Sequence, residues 1–347
     1  MRANEGKGVS YYLKNAWYVA AWADEVGRQP LRRKLLDQDL AIFRKQDGQP
    51  VAIGNRCPHR FAPLSMGKLI GDCIECPYHG LQFDGSGNCV VNPHGNKAIP
   101  PKAQVPSFCV GERNGLIWIW GGDREAADLD AIPELGYLDD PETKTVSGSL
   151  HVEANYQLYI DNLVDLSHAQ FAHGDQLGVE NYYNAELDVS EAQEKVRVVL
   201  TIPNSELPPA IRTMSEEPNI TGNFILEANW QIPSIVTNHI QFLQASGDAV
   251  FRSFGTHILT PETEHTAHYF YGLTRRHLLD DPSVDESVKG WHLRGFSEQD
   301  KPIIEAAARM MGGETDPVGM TNAPLPTDGG NVRARRILKK RIAAEAS

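Results

Sequence analysis

Residues 57–80 read CPHRFAPLSMGKLIGDCIECPYHG; Cys57-Pro58-His59 is answered, sixteen residues later, by Cys76-Pro77-Tyr78-His79. Each half sets a thiolate close to an imidazole beside a proline-bearing turn, so that two loops can pinch a metal centre between them. Zinc fingers ordinarily group two cysteines and then two histidines. Here each loop supplies one of each kind, an alternation that suits a two-iron cluster with two Cys on one iron and two His on the other. Cys73 and Cys76 also form a Cys-x-x-Cys pair. A zinc site built from Cys57, Cys73, Cys76 and His79 is therefore the alternative that spacing leaves open.

The flanking sequence places this motif in a β module. Residues 40–44 and 50–54 are strand-like and joined through Gln46-Asp47-Gly48, a hairpin signal. Gln82-Phe83 runs into Asp84-Gly85-Ser86-Gly87-Asn88, and Leu116-Ile117-Trp118-Ile119-Trp120 is apolar on both pleat faces, as a buried strand requires. Beyond an acidic connection at 123–143 the pattern changes. Apolar residues at Leu158, Ile160, Leu163, Leu166 and Phe171 predict a helix over 156–173, strands return between 196 and 271, and 284–311 and the tail from 332 read as helical. The expected fold is α+β: an all-β domain over 1–125 (the module itself at about 14–122), then an α+β domain over 126–347 built on an antiparallel sheet.

The chain has 347 residues with a net charge of −12, and 41% of them are hydrophobic. An acidic chain is a poor nucleic-acid binder, so no nucleic-acid partner is expected. No run approaches the ~20 apolar residues that cross a bilayer, and MRANEGKGVS at the start has no signal-like apolar segment. Five cysteines, an odd number, suit a reduced cytoplasmic protein with no membrane attachment.

A second constellation lies in 161–173, DNLVDLSHAQFAH. On a regular helix His168 and His173 would be turned ~140° apart, so the helix must bulge or end between them if both face one ion. Two His and one carboxylate leave open positions on an iron for dioxygen and substrate. The carboxylate must come from elsewhere; EQDKPIIE at 298–305 offers Glu298, Asp300 and Glu305, among which composition does not choose.

Residues 57–80 resemble the cluster-binding motif of Rieske iron–sulfur proteins, and NLVDLSHAQFAH resembles the iron-ligand helix of Rieske non-haem iron oxygenases. The likeness extends through NAWYVAA, VVNPHGN, GLIWIW, GTHILTPETE, HYFYG and NVRARRILKKRIAAE, and thins out over 180–229. It implies a [2Fe–2S] Rieske cluster with Cys57 and Cys76 on one iron and His59 and His79 on the other. It also implies one mononuclear non-haem Fe(II) on His168, His173 and Asp300. Asp165 matches the acid that links a cluster histidine to an iron histidine, its acceptor-only carboxylate holding the outer N–H groups of His79 and His168.

Within that family the sequence is most like the dicamba and vanillate O-demethylase group, whose pocket-lining Asn, His and Trp are matched by Asn238, His257 and Trp291. The implied reaction is O-demethylation of a small methoxylated aromatic acid with O2, releasing formaldehyde; ring or methyl hydroxylation of another aromatic is the alternative. No Gly-rich nucleotide fingerprint is present, so NAD(P)H must be oxidised by a separate flavin or ferredoxin-type reductase, or by a ferredoxin plus reductase. The resemblance further implies a homotrimer, in which cluster and iron of neighbouring subunits exchange electrons. Six basic residues between Arg333 and Arg341, with an apolar stripe at Ile337, Leu338 and Ile342, fit a packed terminal helix with a solvated basic face better than a docking site for an acidic partner.

Overall fold

A computed structural model describes residues 11–213, 215, 217–244, 246–320 and 322–345. The segment read for an export signal, 1–10, lies outside the described residues. Residues Tyr12–Glu134 form one compact unit, and those from Leu135 onward form another. The first therefore runs beyond the division expected near 125. The connection is tied back to the strands: Trp17 Nε1 donates to the Asp128 carbonyl (2.7 Å), Arg113 Nη1 donates to that of Ile132 (2.8 Å), and Ile132 is buried.

The first unit is all β. Strands β1 (Trp17–Trp22), β2 (Leu31–Leu35), β3 (Gln38–Arg44), β4 (Pro50–Gly54), β5 (Lys68–Ile70), β6 (Cys73–Glu75), β7 (Gln82–Phe83), β8 (Cys89–Val91), β9 (Val110–Arg113) and β10 (Leu116–Trp120) make three antiparallel sheets. Their orders are β1-β10-β9, β2-β3-β4 and β5-β6-β7-β8. The β3–β4 hairpin closes with Arg44 opposite Pro50 and Gly48 at φ +87°, as its turn residues predict. Strand β10 is buried at every residue. Phe43, Ile53, Ile74, Leu81 and Phe83 share one core with Cys57 and Cys76, which holds both thiols within the hydrophobic interior.

The second unit is an antiparallel seven-stranded sheet with helices. Its elements are β11 (Lys144–Val152), α1 (Tyr156–Val164), α2 (Ala169–Ala172), α3 (Gly174–Leu177), β12 (Glu186–Ala192), β13 (Lys195–Glu206), α4 (Pro209–Arg212), β14 (Thr221–Gln231), β15 (Ile235–Leu243), β16 (Ala249–Pro261), β17 (Ala267–Arg275), α5 (Pro282–His292), α6 (Lys301–Met310) and α7 (Gly329–Glu345). The sheet order is β11-β17-β16-β15-β14-β13-β12.

Both long helices expected from periodicity are interrupted. Helix α1 starts at an Asn155 cap, whose side chain accepts the Gln157 N–H (2.9 Å), and stops where Asp165 turns extended (φ −82°, ψ 90°). A short 3-10 turn, Leu166–His168, then leads into α2. In the late helix, α5 opens on an Asp281 cap with Pro282 in its first turn, and a π-helical stretch, Leu293–Asp300, separates it from α6.

Helix α7 packs on α1 and β13. Its stripe includes Ala334, Leu338 and Ile342, and Arg335, only 7% exposed, grips Asp161 on α1 with Nε at 2.9 Å and Nη2 at 2.6 Å. Burial raises the Asp161 pKa although Arg335 opposes it. Arg336 and Arg341 pair at the surface with Glu191 and Glu194. The tail is thus a packed helix with a basic outer face. Removing one partner of a buried pair strands the other charge. Arg335→Met is therefore expected to lower the urea midpoint of the folded protein, by the equivalent of about 3–5 kcal/mol, whereas Arg336→Met should move it by less than about 1 kcal/mol.

Candidate metal centres

The two Cys–His loops have the same backbone. The Cys57 N–H donates to the Ala62 carbonyl (3.0 Å) and the Cys57 carbonyl accepts the Phe61 N–H (3.0 Å); likewise Cys76 N–H donates to Leu81 (2.8 Å) and its carbonyl accepts from Gly80 (3.0 Å). The fifth residue of each loop is left-handed, Phe61 at φ +61° and Gly80 at φ +69°. The thiols point inward and are buried, with Cys76 within hydrogen-bonding reach of Cys57; burial above all pushes the Cys57 pKa up to about 11. The imidazoles of His59 and His79 lie together further out, ring centres 4.3 Å apart at 64°. A buried thiol pair becomes a thiolate pair only beside compensating positive charge, so the donor set fits a two-iron cluster held between the loops.

The zinc alternative fails on geometry. Donor atoms of a zinc tetrahedron, with bonds of about 2.0–2.3 Å, crowd together around one point. Among the described residues, the one group of three or more His, Cys, Asp or Glu with donor atoms all within 4.8 Å of one another is His168, His173 and Asp300. Cys73 sits on β6, paired with Ile70, and joins no such group.

That triad is the second centre. His168 ends the 3-10 turn, His173 caps α2 with φ −117° and ψ 30°, and Asp300 closes the π-helical stretch. The helix thus ends between the two histidines, one of the two solutions their spacing allows. Asp300 Oδ1 lies 3.1 Å from His173 Nε2 and 3.8 Å from His168 Nε2, and Asp300 is only 4% exposed. His168 Nδ1 donates to the Asp165 carbonyl (2.5 Å), and His173 Nδ1 donates to Gln299 Oε1 (2.7 Å). With both Nδ1 atoms donating, a neutral imidazole presents a lone pair at Nε2, and both lone pairs face a carboxylate that can only accept. Burial lowers the His173 pKa, but Asp300, Gln299 and Asp175 outweigh it and leave it raised. The set calls for positive charge at its centre, and its donors suit a divalent iron with open positions.

The neighbouring acids point elsewhere. Glu298 lies outside, within 4.0 Å of Arg294, while Glu305 binds Lys301 and accepts the Glu153 N–H (2.7 Å). Asp165 departs from expectation. Its main-chain carbonyl, not its carboxylate, takes the outer N–H of His168; carboxylate Oδ1 caps the turn, accepting Ser167 N–H (3.0 Å) and Ser167 Oγ–H (2.5 Å). Gln299, absent from the sequence reading, supports His173 and passes the contact on, donating to Asp175 Oδ1 (2.9 Å), while Asp175 Oδ2 accepts from Arg294 Nε (2.5 Å).

The triad opens on a cavity of about 140 Å³, walled by the sheet on one side and by α3, α5 and the π-helical stretch on another. Asn238, His257 and Trp291 all line it, as do Gln176, His292 and Phe296, which sequence reading missed. Asn238 on β15 stands opposite Gly255 on β16. A Cβ on Gly255 would fall 2.8 Å from His257 Nε2 and 3.1 Å from Asn238 Cβ, so the bare glycine leaves room for these two side chains. Tyr269 Oη and His257 Nδ1 are 2.7 Å apart; a hydroxyl donating there leaves the His257 proton on Nε2. Burial, with a smaller push from His292, drives the His257 pKa down to about 3, and burial brings His292 to about 4. Both rings are therefore neutral at pH 7. No Lys or Arg lines the cavity among the described residues.

A cluster module and a three-ligand centre beside a substrate-sized cavity together define an oxygen-activating iron enzyme fed by an iron–sulfur carrier. Comparison with known proteins gives the family. Residues 16–108 match the Rieske [2Fe-2S] domain and residues 152–344 the vanillate O-demethylase oxygenase C-terminal domain. The oxygenase component of dicamba O-demethylase from Stenotrophomonas maltophilia is 39% identical, the match covering 97% of this chain and 99% of the relative. The oxygenase component of chloroacetanilide N-alkylformylase from Rhizorhabdus wittichii (strain DC-6 / KACC 16600) is 40% identical over 96% and 97%. The crystal structure of dicamba monooxygenase bound to 3,6-dichlorosalicylic acid superposes with a TM-score of 0.91 at 39% identity, covering 97% of this chain and 99% of that one; the same enzyme with non-haem iron and dicamba gives 0.82 at 38%, covering 96% and 98%. The chain belongs to the Rieske non-haem iron oxygenases and is the oxygenase component of such a system.

Two substitutions separate the centres. Cys73→Ser should leave the visible spectrum of the cluster intact, and Cys76→Ser should abolish it. Asp300→Ala should lower iron without lowering acid-labile sulfide, because only the three-ligand centre is damaged; an unchanged iron-to-sulfide ratio would exclude Asp300 as a ligand.

Proposed function

We propose that this chain is a terminal monooxygenase that O-demethylates a small methoxylated aromatic acid of the vanillate or dicamba type. Cys57 and Cys76 would hold one iron of the [2Fe–2S] cluster, His59 and His79 the other, and His168, His173 and Asp300 a mononuclear Fe(II). These groups supply one-electron storage and dioxygen activation. The observation that carries the reading is the His–His–Asp set, His173 and Asp300 buried and His168 partly so, opening on an apolar cavity with a short polar wall.

The protein's own part is binding and exclusion. Trp291 covers one side of the ring, while His257 Nε2–H and Asn238 hydrogen-bond a polar ring substituent such as a carboxylate. The Asp165 carbonyl and Gln299 fix the ligand imidazoles in the tautomer that turns Nε2 inward. Hydroxylating the methyl group gives a hemiacetal, which separates into a phenol and formaldehyde; the second oxygen atom leaves as water, with two electrons from NAD(P)H. Those electrons arrive through a separate partner, a flavin or ferredoxin-type reductase or a ferredoxin plus reductase. A homotrimer in which the cluster of one protomer serves the iron of the next completes the proposal, and the cytoplasm, where NAD(P)H is available, is its compartment. No helix among the described residues is long and apolar enough to cross a membrane.

A second reading is dealkylation of a neutral anilide. It is favoured by the lack of a cationic side chain on the cavity wall and by the chloroacetanilide-processing relative.

The test is a screen of methoxybenzoates and N-alkyl chloroacetanilides with a surrogate reductase, following formaldehyde and NADH together. Formaldehyde matched to NADH from a methoxybenzoate supports the first reading; cis-diol or benzylic alcohol as the product overturns both. Metal analysis should find about three irons and two sulfides per chain, and light scattering a mass about three times 38.4 kDa. Asp165→Asn keeps the main-chain carbonyl and a capping oxygen but loses the charge. It should retain both metals; where the carboxylate also takes the outer N–H of His79 from a neighbouring protomer of the proposed trimer, coupled turnover falls by about 10–100-fold, and unchanged turnover would remove that link from the proposal.

A further inference from the structure

The wall of the cavity carries a polar group, without a hydrogen-bond partner, that the proposed function leaves unused. Gln176 lies on α3, three residues beyond His173, and its N–H donates to the His173 carbonyl (2.9 Å). It is 9% exposed and lines the cavity, and its Nε2 is buried with no hydrogen-bond partner. Its place along the cavity is set by Gly295: the point a Cβ there would occupy is 3.7 Å from Gln176 Oε1 and 3.9 Å from His173 Cε1. The carboxamide therefore stands beside a candidate iron ligand, whereas His257 stands beside Asn238 across the Gly255 gap.

A buried amide N–H without an acceptor is unfavourable unless a ligand supplies one. Much of the cavity lining is apolar (Leu163, Leu166, Ala169, Leu177 and Leu226), and neither Asp300 nor Asn238, the carboxylate and amide acceptors there, is bonded to it. A substrate atom held beside His173 can supply the missing acceptor, and in the proposed function the reacting carbon is held on that side of the cavity. In an aryl methyl ether the atom one bond from that carbon is an oxygen; in an alkylbenzene it is another carbon.

We infer that Gln176 is a specificity-determining residue whose Nε2–H donates to the ether oxygen of the substrate, selecting a methyl group on oxygen over one on carbon. This rests on the proposed O-demethylation and names the feature by which its substrates are recognised. A site that hydrogen-bonds a substrate heteroatom rejects the isostere lacking it, because its own donor is then left unpaired. In the hemiacetal the same N–H still faces that oxygen, which departs with the ring as the phenol oxygen when the C–O bond to the former methyl carbon breaks.

The test compares a methoxybenzoate that the wild-type holoenzyme demethylates with the ethylbenzoate in which CH2 replaces the oxygen. Rates are measured with a surrogate reductase, and dissociation constants by anaerobic calorimetry without turnover. Gln176→Leu is expected to lower kcat/KM and affinity for the methoxy compound about tenfold and to leave those for the ethyl compound equal or higher. Gln176→Met, close to glutamine in length and without a donor, should do the same. The inference is overturned if both variants keep the wild-type methoxy-to-ethyl ratio. It is also overturned if both lose iron relative to sulfide, since the carboxamide would then be a support for His173. If wild type releases formaldehyde from no methoxyarene, the proposed function fails first and the inference falls with it, whatever the variants do.

Discussion

Two imidazole lone pairs turned toward one carboxylate oxygen repel rather than bind unless a cation lies among them. That requirement runs through the whole second unit. Asp300 can be buried because its charge has a use, and the tautomers of His168 and His173 are fixed because an oxygen waits behind each ring. Helix α1 has to stop at Asp165 so that its carbonyl is free to take His168, and the next helix has to stop at His173 for that ring to swing toward Asp300. Arg335 on the last helix clamps α1 through Asp161, so the tail contributes to the site from a distance without touching it.

The other centre works by a different economy. Its two loops repeat one backbone conformation with different side chains, placing thiols in the core and imidazoles near the surface. The two sides therefore differ in solvation: the sulfur side is dry and the nitrogen side is wet. In the cavity polarity is again arranged without net charge, since both His257 and His292 are held neutral by burial. Such a wall suits a ligand recognised by shape and hydrogen bonding more than by charge.

What the chain discloses unaided follows from how rare and how local each signal is. Cysteine and histidine at short fixed spacing are rare enough for Cys57, His59, Cys76 and His79 to stand out, and a five-position step from His168 to His173 already requires a broken helix if both face one ion. Asp300 could not be told from Glu298 and Glu305 by composition, because what separates them is burial and partner, and both are products of tertiary packing. Gln176, His292 and Gln299 carry no motif; they matter through the cavity they face or the ring they support. The π-helical stretch has no compositional mark either, since 284–311 satisfies ordinary helical periodicity well enough to hide one wide turn.

That wide turn makes residue count along the late helix a fixed quantity. One residue more or fewer between Trp291 and Asp300 would swing everything beyond it by ~100°, carrying the carboxylate away from both rings. A pocket-lining side chain there can be exchanged in place, but the length of the segment cannot change without moving the carboxylate. Exchange of substrate preference between relatives by grafting must therefore move this stretch whole, as a spacer whose phase is already set.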